Sequence, residues 1–344
     1  MKQHPVIELK KITRSFTKGG GFLGGPGQRV DVLRNVTLSI NSGEVLCLVG
    51  ESGCGKTTTG KIIAGLLPPS AGQILYSGQE LSTMDKVEFS QYRRSVQLIH
   101  QDPYAAPNPT HTIYSILSAP MFRHGLVRTR RDAVRRVADL METVDLTPIG
   151  DFIEKYPHQL SGGQRQRVVI ARALILQPRL IVADEPVSML DVSIRLSVIS
   201  LLRRLQKEMQ VAFLFITHDL AMAKHFGIGG RLAVMYIGEV VETGTTEQII
   251  NQPMHPYTQA LLKAIPEPDP ELTRAKEPIN LRSLDIPDLA DLPPGCTFHP
   301  RCPAYLGSRC ESTTPRLLTQ RDGRQIACLL YEGGKVEAIG RSVL

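Results

Sequence analysis

The chain has 344 residues, a formal net charge of +7 and 42% hydrophobic residues, which allows one large α/β domain with inserted subdomains plus a small terminal domain. No run of about 18 apolar residues occurs, and Met1–Pro5 starts no apolar core, so we expect a cytosolic chain without a membrane-spanning helix or signal peptide. The charge is scattered and only 5% of the residues are aromatic, so we expect no nucleic-acid partner.

A phosphate-binding loop follows the first predicted core strand. The apolar run Val45–Val49 leads into Gly50–Thr57, which matches the pattern Gly, four residues, Gly, Lys and Ser or Thr. The glycines let backbone N–H groups surround phosphates, Lys56 adds a positive charge, and the Thr57 hydroxyl can ligate Mg²⁺. Short β segments elsewhere in residues 1–80 predict an antiparallel β subdomain beside the start of a parallel sheet. The predicted nucleotide-binding residues of the loop are Gly50, Ser52, Gly53, Cys54, Gly55, Lys56, Thr57 and Thr58.

Residues 85–160 lack strong strand patterns and are predicted to form a helical subdomain. Within this stretch, Thr129 and Asp132 have the spacing of a helix N-terminal cap. The apolar residues after the cap recur at helical spacing and predict an amphipathic helix: Val134, Val137, Ala138, Met141 and Val144.

The segment Leu160–Gln164 predicts a second phosphate seat. Ser161 and Gln164 have the spacing of a capping box, which marks a helix start. Gly162 and Gly163 would each cost about 1 kcal/mol relative to alanine within a helix, so we expect something to approach that backbone closely. A helix N-terminus suits a phosphate, and two phosphate seats in one chain indicate ATP shared between two copies of the domain. The alternative is a plain helix start that contains glycine.

Two further apolar strands end in polar residues. Leu180–Asp184 runs into Glu185, and Val211–Thr217 delivers His218. Continuous apolar runs are typical of buried parallel strands, whose carboxyl ends bind ligands. Asp184 is then placed to hold Mg²⁺, Glu185 to orient or deprotonate water, and His218 to face the γ-phosphate. The alternatives are a solvated strand end or cap and a structural histidine.

Taken together, these motifs resemble the ATPase subunit of an ATP-binding-cassette (ABC) transporter, and the resemblance covers most of residues 1–250. It implies an α/β P-loop ATPase core with an antiparallel β subdomain and a helical subdomain. The matching segments are Gly50–Thr57 (Walker A), Gln101 (Q-loop), Leu160–Gln164 (signature), Leu180–Asp184 with Glu185 (Walker B and catalytic glutamate), Ser188–Asp191 (D-loop) and His218 (switch histidine).

The resemblance also implies roles for single residues. Glu185, His218 and Gln101 would be catalytic, and Phe16 would stack on adenine. The implied Mg²⁺ ligands are Thr57, Gln101 and Asp184. In a head-to-tail dimer, each ATP would lie between the Walker A motif of one subunit and these residues of the other: Ser161, Gly162, Gly163 and Gln164.

Downstream segments narrow the resemblance to oligopeptide and dipeptide importers. Met235–Gly244 and Pro253–Leu262 are similar to segments of those ATPases, and Lys18–Gly25 resembles the insertion of the F-type member of a paired set. This implies a D-type partner ATPase, two transmembrane permease subunits, an extracellular substrate-binding protein, and a peripheral position on the cytoplasmic face of the inner membrane. Residues 102–104 and the nearby helices would dock the permease. The alternatives are import of nickel or oligosaccharides, or a soluble cassette ATPase.

Two residues depart from the family pattern. Met189 lies in the D-loop where a small residue is usual, and His100 precedes Gln101 where an aromatic residue is usual. Neither removes a charge or a ligand, so a degenerate site is not predicted, but contacts with a second subunit or the permease are put in doubt.

Four cysteines lie beyond the proline-rich linker Pro266–Pro270, which divides the sequence into a nucleotide-binding domain at 1–265 and an extension at 266–344. Disulfides are not expected in a cytosolic protein, so metal binding is the leading interpretation, with zinc, an iron–sulfur cluster and unliganded thiols all open. Gly295–Pro303 resembles the C-terminal domain of peptide-importer ATPases, which implies a 4Fe–4S cluster on Cys296, Cys302, Cys310 and Cys328.

Overall fold

The computed structural model describes residues 4–18, 28–102, 108–265 and 280–332. Most of the predicted F-type insertion, residues 103–104 of the predicted docking segment, and the linker Pro266–Pro270 lie outside these residues.

A small antiparallel sheet forms the first layer. Its strands are β1 (Ile7–Lys18), β2 (Gln28–Ile40), β4 (Ala71–Tyr76) and β5 (Gln79–Glu80), in the order β2-β1-β4-β5. One face of β1 carries the buried side chains of Leu9 and Ile12, which pack toward the core of the molecule. The predicted antiparallel β region is therefore present.

The main sheet contains eight strands among the described residues. They are β3 (Val45–Val49), β6 (Val96–Ile99), β7 (Leu180–Asp184), β8 (Ala212–Thr217), β9 (Arg231–Tyr236), β10 (Glu239–Thr245), β11 (Leu318–Thr319) and β12 (Gln325–Ile326), in the order β11-β12-β10-β9-β3-β8-β7-β6. From β9 to β6 all neighbours are parallel, so the carboxyl ends of β3, β8, β7 and β6 meet at one edge. Every residue of β3, β7 and β8 is buried, as their continuous apolar sequences predict.

Helices cover both faces of the main sheet's parallel part and build the region beside it. They are α1 (Lys56–Ile63), α2 (Lys86–Ser95), α3 (Ile113–Arg123), α4 (Arg130–Thr143), α5 (Gly162–Leu174), α6 (Val192–Met209), α7 (Leu220–Gly227), α8 (Thr246–Asn251), α9 (Pro256–Lys263) and α10 (Ser308–Ser312). Within the described ranges, none of these helices is both long enough and apolar enough to cross a membrane.

Helix α4 begins where its cap predicts. The Thr129 hydroxyl accepts a hydrogen bond from the Asp132 backbone N–H at 3.1 Å. Val137 and Met141 are fully buried against α3 and α5, whereas Val134 is 41% exposed. The buried face of α4 is thus narrower than the apolar pattern alone indicates.

Strand β6 lies inside the stretch 85–160, where the sequence pattern predicts helices. It pairs in parallel with β7 at the edge of the main sheet, and its register places Ile99 opposite Ala183. Only four residues long, it has two half-buried residues, Gln97 and Leu98, between two buried ones. Its sequence therefore shows neither a continuous apolar run nor a clear alternation that would indicate a strand. This strand matters because it delivers Gln101 to the edge where β7 and β8 end.

The cysteine-bearing segment 280–332 does not form a separate domain. Strand β12 extends the main sheet by pairing with β10, and Phe298 is buried in the main hydrophobic core. The Phe298 ring lies 5.2 Å from that of Tyr236 and 5.4 Å from that of Tyr257. The predicted Cys-rich C-terminal domain is therefore not supported, because this segment joins the main sheet through β12 and the main core through Phe298.

Candidate active site

The phosphate-binding loop has the backbone that its glycines predict. Gly50, Gly53 and Gly55 have φ values of 155°, 80° and 106°. A Cβ at Gly50 would also clash with the backbone carbonyl oxygen of Met235. Gly55 directly precedes α1, so the loop leads into a helix N-terminus whose N–H groups and dipole favour an anion.

Lys56 is buried and points back over the loop. Its Nζ donates hydrogen bonds to the carbonyl oxygens of Gly50 at 2.8 Å and of Glu51 at 2.9 Å. The ammonium is therefore held in place by neutral carbonyl groups, which an anionic phosphate can replace with a stronger, charge-assisted partner.

A hydroxyl and a carboxylate meet at the start of α1. The Thr57 Oγ1 donates to Oδ1 of Asp184, the last residue of β7, at 3.1 Å. Burial raises the pKa of the Asp184 carboxyl, and the nearby Glu185 raises it further, while the Thr57 hydrogen bond lowers it. This pair of oxygen ligands fits Mg²⁺, which binds through one or two protein groups and keeps its remaining sites for water and phosphate oxygens.

Glu185 is held between two residues from neighbouring strand ends. Gln101, after β6, donates from Nε2 to Oε2 of Glu185 at 2.9 Å. His218, after β8, lies with Nδ1 2.9 Å from Oε1 of the same carboxylate. Glu185 itself has φ 47°, and its N–H donates to the carbonyl oxygen of Ile216. Two of the three residues predicted to be catalytic thus contact the third, Glu185, and Gln101 bonds to Glu185 rather than to the Thr57–Asp184 pair.

The segment Leu160–Gln164 starts α5 with the predicted capping box. Gln164 N–H donates to the Ser161 hydroxyl at 3.3 Å, and Ser161 N–H donates to the Gln164 side-chain oxygen at 3.0 Å. A Cβ built at Gly163 would lie 2.6 Å from Cγ2 of Ile194. The close approach to the backbone that the glycines predict is therefore made at Gly163 by Ile194, at the start of α6 in the same chain.

Phe16 and Met189 lie at the surface. Phe16 is 40% exposed on β1, with the Arg14 guanidinium 4.7 Å from its ring centre. Met189 is 58% exposed in the turn before α6, beside the exposed Val192. Both apolar side chains are available to a ligand or a partner.

A cavity of about 1000 Å³ extends from the Thr57–Asp184 pair to α3. Its lining is rich in basic side chains, and His100 lies in it beside Gln101. Burial lowers the pKa of His100, and the positive charges of Arg172 and Lys61 lower it further, whereas Asp184 opposes the shift. His100 is therefore a neutral side chain in the wall of a positively charged groove.

The chain matches two protein families. Residues 33–188 match the family "ABC transporter", and residues 241–310 match "Oligopeptide/dipeptide transporter, C-terminal region". It is 42% identical to the putative oligopeptide transport ATP-binding protein YkfD of Bacillus subtilis, over 98% of this chain and 99% of that protein. It is 43% identical to the oligopeptide transport ATP-binding protein OppF of Salmonella typhimurium, over 89% of this chain and 90% of that protein.

The chain belongs to the ATP-binding subunits of oligopeptide/dipeptide ABC transporters. This confirms the family predicted from the motifs. A solved structure described as the dimeric post-hydrolysis state of the ATP-binding cassette MJ0796 bound to ADP and Pi has a TM-score of 0.60 and 28% identity. It covers 70% of this chain and 98% of its own, so the P-loop ABC ATPase fold is confirmed as well.

The four C-terminal cysteines of this ABC subunit line one small cavity. The cavity has a volume of about 10 Å³, and its walls include Cys296, Cys302, Cys310 and Cys328 together with His255 and Phe298. Burial raises the pKa of Cys296 to about 11 and those of Cys302 and Cys328 to about 12, so these thiols are protonated at neutral pH. Among the described residues, no group of three or more His, Cys, Asp or Glu side chains could hold a metal ion. All four cysteines line this cavity, but nothing among the described residues supports the predicted 4Fe–4S site.

Sequence reasoning missed a set of contacts on the phosphate-binding loop of this ABC subunit. Glu51 pairs with Arg301 through both carboxylate oxygens, at 2.8 and 2.9 Å. Its backbone N–H donates to the Tyr257 hydroxyl at 2.9 Å. Glu51 is at a position that the loop motif leaves open, and Arg301 lies 250 residues away in the sequence. No sequence pattern therefore indicates this pair.

Proposed function

We propose that this chain is the ATP-hydrolysing subunit of an importer of oligopeptides or dipeptides. ATP is the substrate, and hydrolysis to ADP and phosphate supplies the energy for transport through separate membrane subunits. The observation that carries the proposal is the contact of Gln101 and His218 with the Glu185 carboxylate, beside the Thr57–Asp184 pair and the phosphate-binding loop.

Each residue then has a defined task. Lys56 and the backbone of Gly50–Thr57 bind the phosphates, and Phe16 stacks on the adenine. Glu185 accepts a proton from the attacking water or orients it, while His218 contacts the γ-phosphate and fixes the carboxylate. Mg²⁺, held by Thr57 and Asp184 with Gln101 nearby, would neutralise phosphate charge.

The proposal includes a second ATPase subunit. The exposed Ser161 at the start of α5, together with exposed Met189 and Val192, gives one surface both a helix N-terminus and apolar side chains. A head-to-tail dimer would bury these apolar groups and place the Ser161–Gln164 segment on the phosphates of the other subunit. The partner we propose is a D-type relative of this chain.

We place the complex at the membrane through its other subunits. The basic groove beside α3 is a suitable docking surface for a permease, and two permease subunits and an extracellular substrate-binding protein would complete the importer. The chain would then be a peripheral protein on the cytoplasmic face of the inner membrane. Identification of the solute carried by the purified complex's binding protein tests the substrate, and a nickel complex or an oligosaccharide would replace the peptide assignment.

Glu185→Gln tests the catalytic assignment. It preserves the shape of the side chain but removes the base, so turnover should fall by at least about 100-fold, the usual contribution of a general base, while ATP binding persists. Lys56→Ala should weaken ATP binding itself. Glu208→Gln, an exposed glutamate on α6, is the matched control and should keep wild-type turnover. Wild-type turnover in Glu185→Gln would remove Glu185 from the mechanism.

We further propose that residues 1–265 form the nucleotide-binding unit and residues 266–344 an extension, and that the four cysteines hold a 4Fe–4S cluster. The support is that all four side chains line one cavity, which would have to widen and whose thiols would have to lose protons. Protein purified under nitrogen should contain about four irons and four sulfides per chain. Cys302→Ser should lose the iron, and Cys47→Ser, at a buried cysteine elsewhere, should retain it. Zinc in place of iron, or no metal, would overturn the cluster.

A further inference from the structure

The C-terminal segment reaches directly into the phosphate-binding loop. The Arg301 guanidinium makes two parallel hydrogen bonds to the Glu51 carboxylate, the geometry in which arginine binds a carboxylate most strongly. The Arg301 side chain is only 6% exposed, and the Glu51 side chain is 26% exposed. This ion pair beside the phosphate-binding loop is therefore largely desolvated, unlike exposed ion pairs, which contribute little to stability.

Glu51 is tied to three different elements. Besides the Arg301 contact, its N–H donates to the hydroxyl of Tyr257 on α9, and its carbonyl oxygen accepts from Lys56 Nζ. The first of these contacts fixes the side chain, and the other two fix the backbone on either side of it. The position of this loop residue is thus set by the C-terminal segment and α9 as well as by its own glycines.

Arg301 is itself held rigidly. Its guanidinium carbon lies 5.7 Å from the ring centre of Tyr236 and 5.8 Å from that of Phe298, and Nη1 lies 3.5 Å from the Tyr236 hydroxyl. The hydrogen bonds and negative charge of Glu51 raise the pKa of Arg301, although burial of the guanidinium acts in the opposite direction. An arginine packed against two aromatic rings loses less side-chain freedom on binding a carboxylate than an exposed arginine does.

The charge on Glu51 conflicts with the function of its loop. A loop that binds triphosphate concentrates positive charge and N–H groups, and a free carboxylate one residue after Gly50 would repel the same phosphates. Arg301 cancels that charge and directs the carboxylate toward the C-terminal segment. The backbone contacts of Glu51 remain available to shape the loop.

We infer that Arg301 is a positioning residue for nucleotide binding: it neutralises and orients Glu51. Through this contact, the segment around residues 296–302 contributes to the nucleotide-binding site. The inference rests on the proposed ATPase function. Its consequence is that the C-terminal segment controls the affinity for ATP, and not the rate of the chemical step.

Arg301→Met tests this in the full-length chain, with AMP-PNP binding by calorimetry and steady-state ATPase kinetics as readouts. Loss of the guanidinium leaves Glu51 unpaired, and we expect the dissociation constant and the KM for ATP to rise on the order of tenfold, with kcat within about twofold. Adding Glu51→Gln to Arg301→Met removes the unpaired charge and should restore the affinity to within about threefold of wild type. Arg301→Lys, which keeps the charge but not the paired geometry, should lie between wild type and Arg301→Met.

Arg324→Met is the matched control. Arg324 is an equally buried arginine of the same segment that pairs with Asp322 and does not contact the loop, so its loss should lower stability without raising KM. If the double variant binds AMP-PNP as weakly as Arg301→Met, or if Arg301→Met binds as wild type does, Arg301 does not act through Glu51. If the wild-type chain itself fails to bind AMP-PNP, the proposed function fails first. Where Arg301→Met does not fold, Arg301→Lys with and without Glu51→Gln decides the same question.

Discussion

Gly163→Ala is expected to change stability through a single contact. The new Cβ would lie 2.6 Å from Cγ2 of Ile194, a separation at which one of the two groups must move. Insertion of a methyl group into a packed contact costs about 1 to 3 kcal/mol, while alanine in place of glycine gains about 1 kcal/mol in a helix. The net effect on the free energy of unfolding should be a loss of about 0 to 2 kcal/mol.

Ile194→Ala removes the methyl group that the new Cβ would meet, and so isolates the contact. In that background Gly163→Ala should stabilise the protein by up to about 1 kcal/mol, because only the helix propensity remains. Urea unfolding of the four proteins gives the cycle, and ATPase activity of the double variant reports separately on approach of a phosphate to this backbone. Equal effects of Gly163→Ala in both backgrounds would refute the contact as the reason for glycine here.

Three further predictions concern other parts of the molecule. Burial lowers the pKa of His255 to about 3 in the folded protein, whereas a histidine in the unfolded chain has a pKa of about 6.5. The unfolded chain therefore binds more protons as the pH falls, and the free energy of unfolding should decrease by about 1.4 kcal/mol between pH 7.5 and 5.5. In parallel urea titrations, His255→Gln should lose this pH dependence. Met189→Ser with Val192→Ser should weaken ATP-dependent association with the partner ATPase subunit on gel filtration without shifting the unfolding midpoint, and an unchanged complex would place the interface elsewhere. Val137→Ala should cost about 2 kcal/mol and Val134→Ala less than about 0.5 kcal/mol by urea unfolding, since one is buried and the other is exposed; equal costs would contradict the packing of α4.

The site could be predicted from sequence to the extent that it lies at strand ends. Runs such as Val45–Val49 and Leu180–Asp184 are long, apolar and unambiguous, and parallel strands necessarily bring their carboxyl ends to one edge. That rule alone puts Asp184, Glu185 and His218 near the phosphate-binding loop. Gln101 is predicted only through the family resemblance, because the sequence of β6, the strand that precedes it, is too weakly patterned to indicate a strand.

The remaining features depend on contacts between distant residues. No local pattern says that Gly163 meets Ile194, that Val134 turns outward from α4, or that segment 280–332 joins the main core. In each case the outcome is set by the partner's position in the folded chain, which periodicity does not carry. The cysteines show the same limit, because their spacing is compatible with zinc, with an iron–sulfur cluster and with free thiols, and it does not show that all four line one cavity.

The charges of the site explain why the C-terminal segment is joined to the main core. Positive charge lies on the loop side, with Lys56 and the start of α1, and negative charge lies at the strand ends, with Asp184 and Glu185. Glu51 is the exception to this separation, and Arg301 restores it. An arginine on a loosely tethered segment would have to lose about 1 to 2 kcal/mol of backbone freedom per ordered residue each time it paired with Glu51. The pairing of β12 with β10 and the burial of Phe298 meet that entropy cost once, during folding, so that the neutralised loop is already in place when a nucleotide arrives.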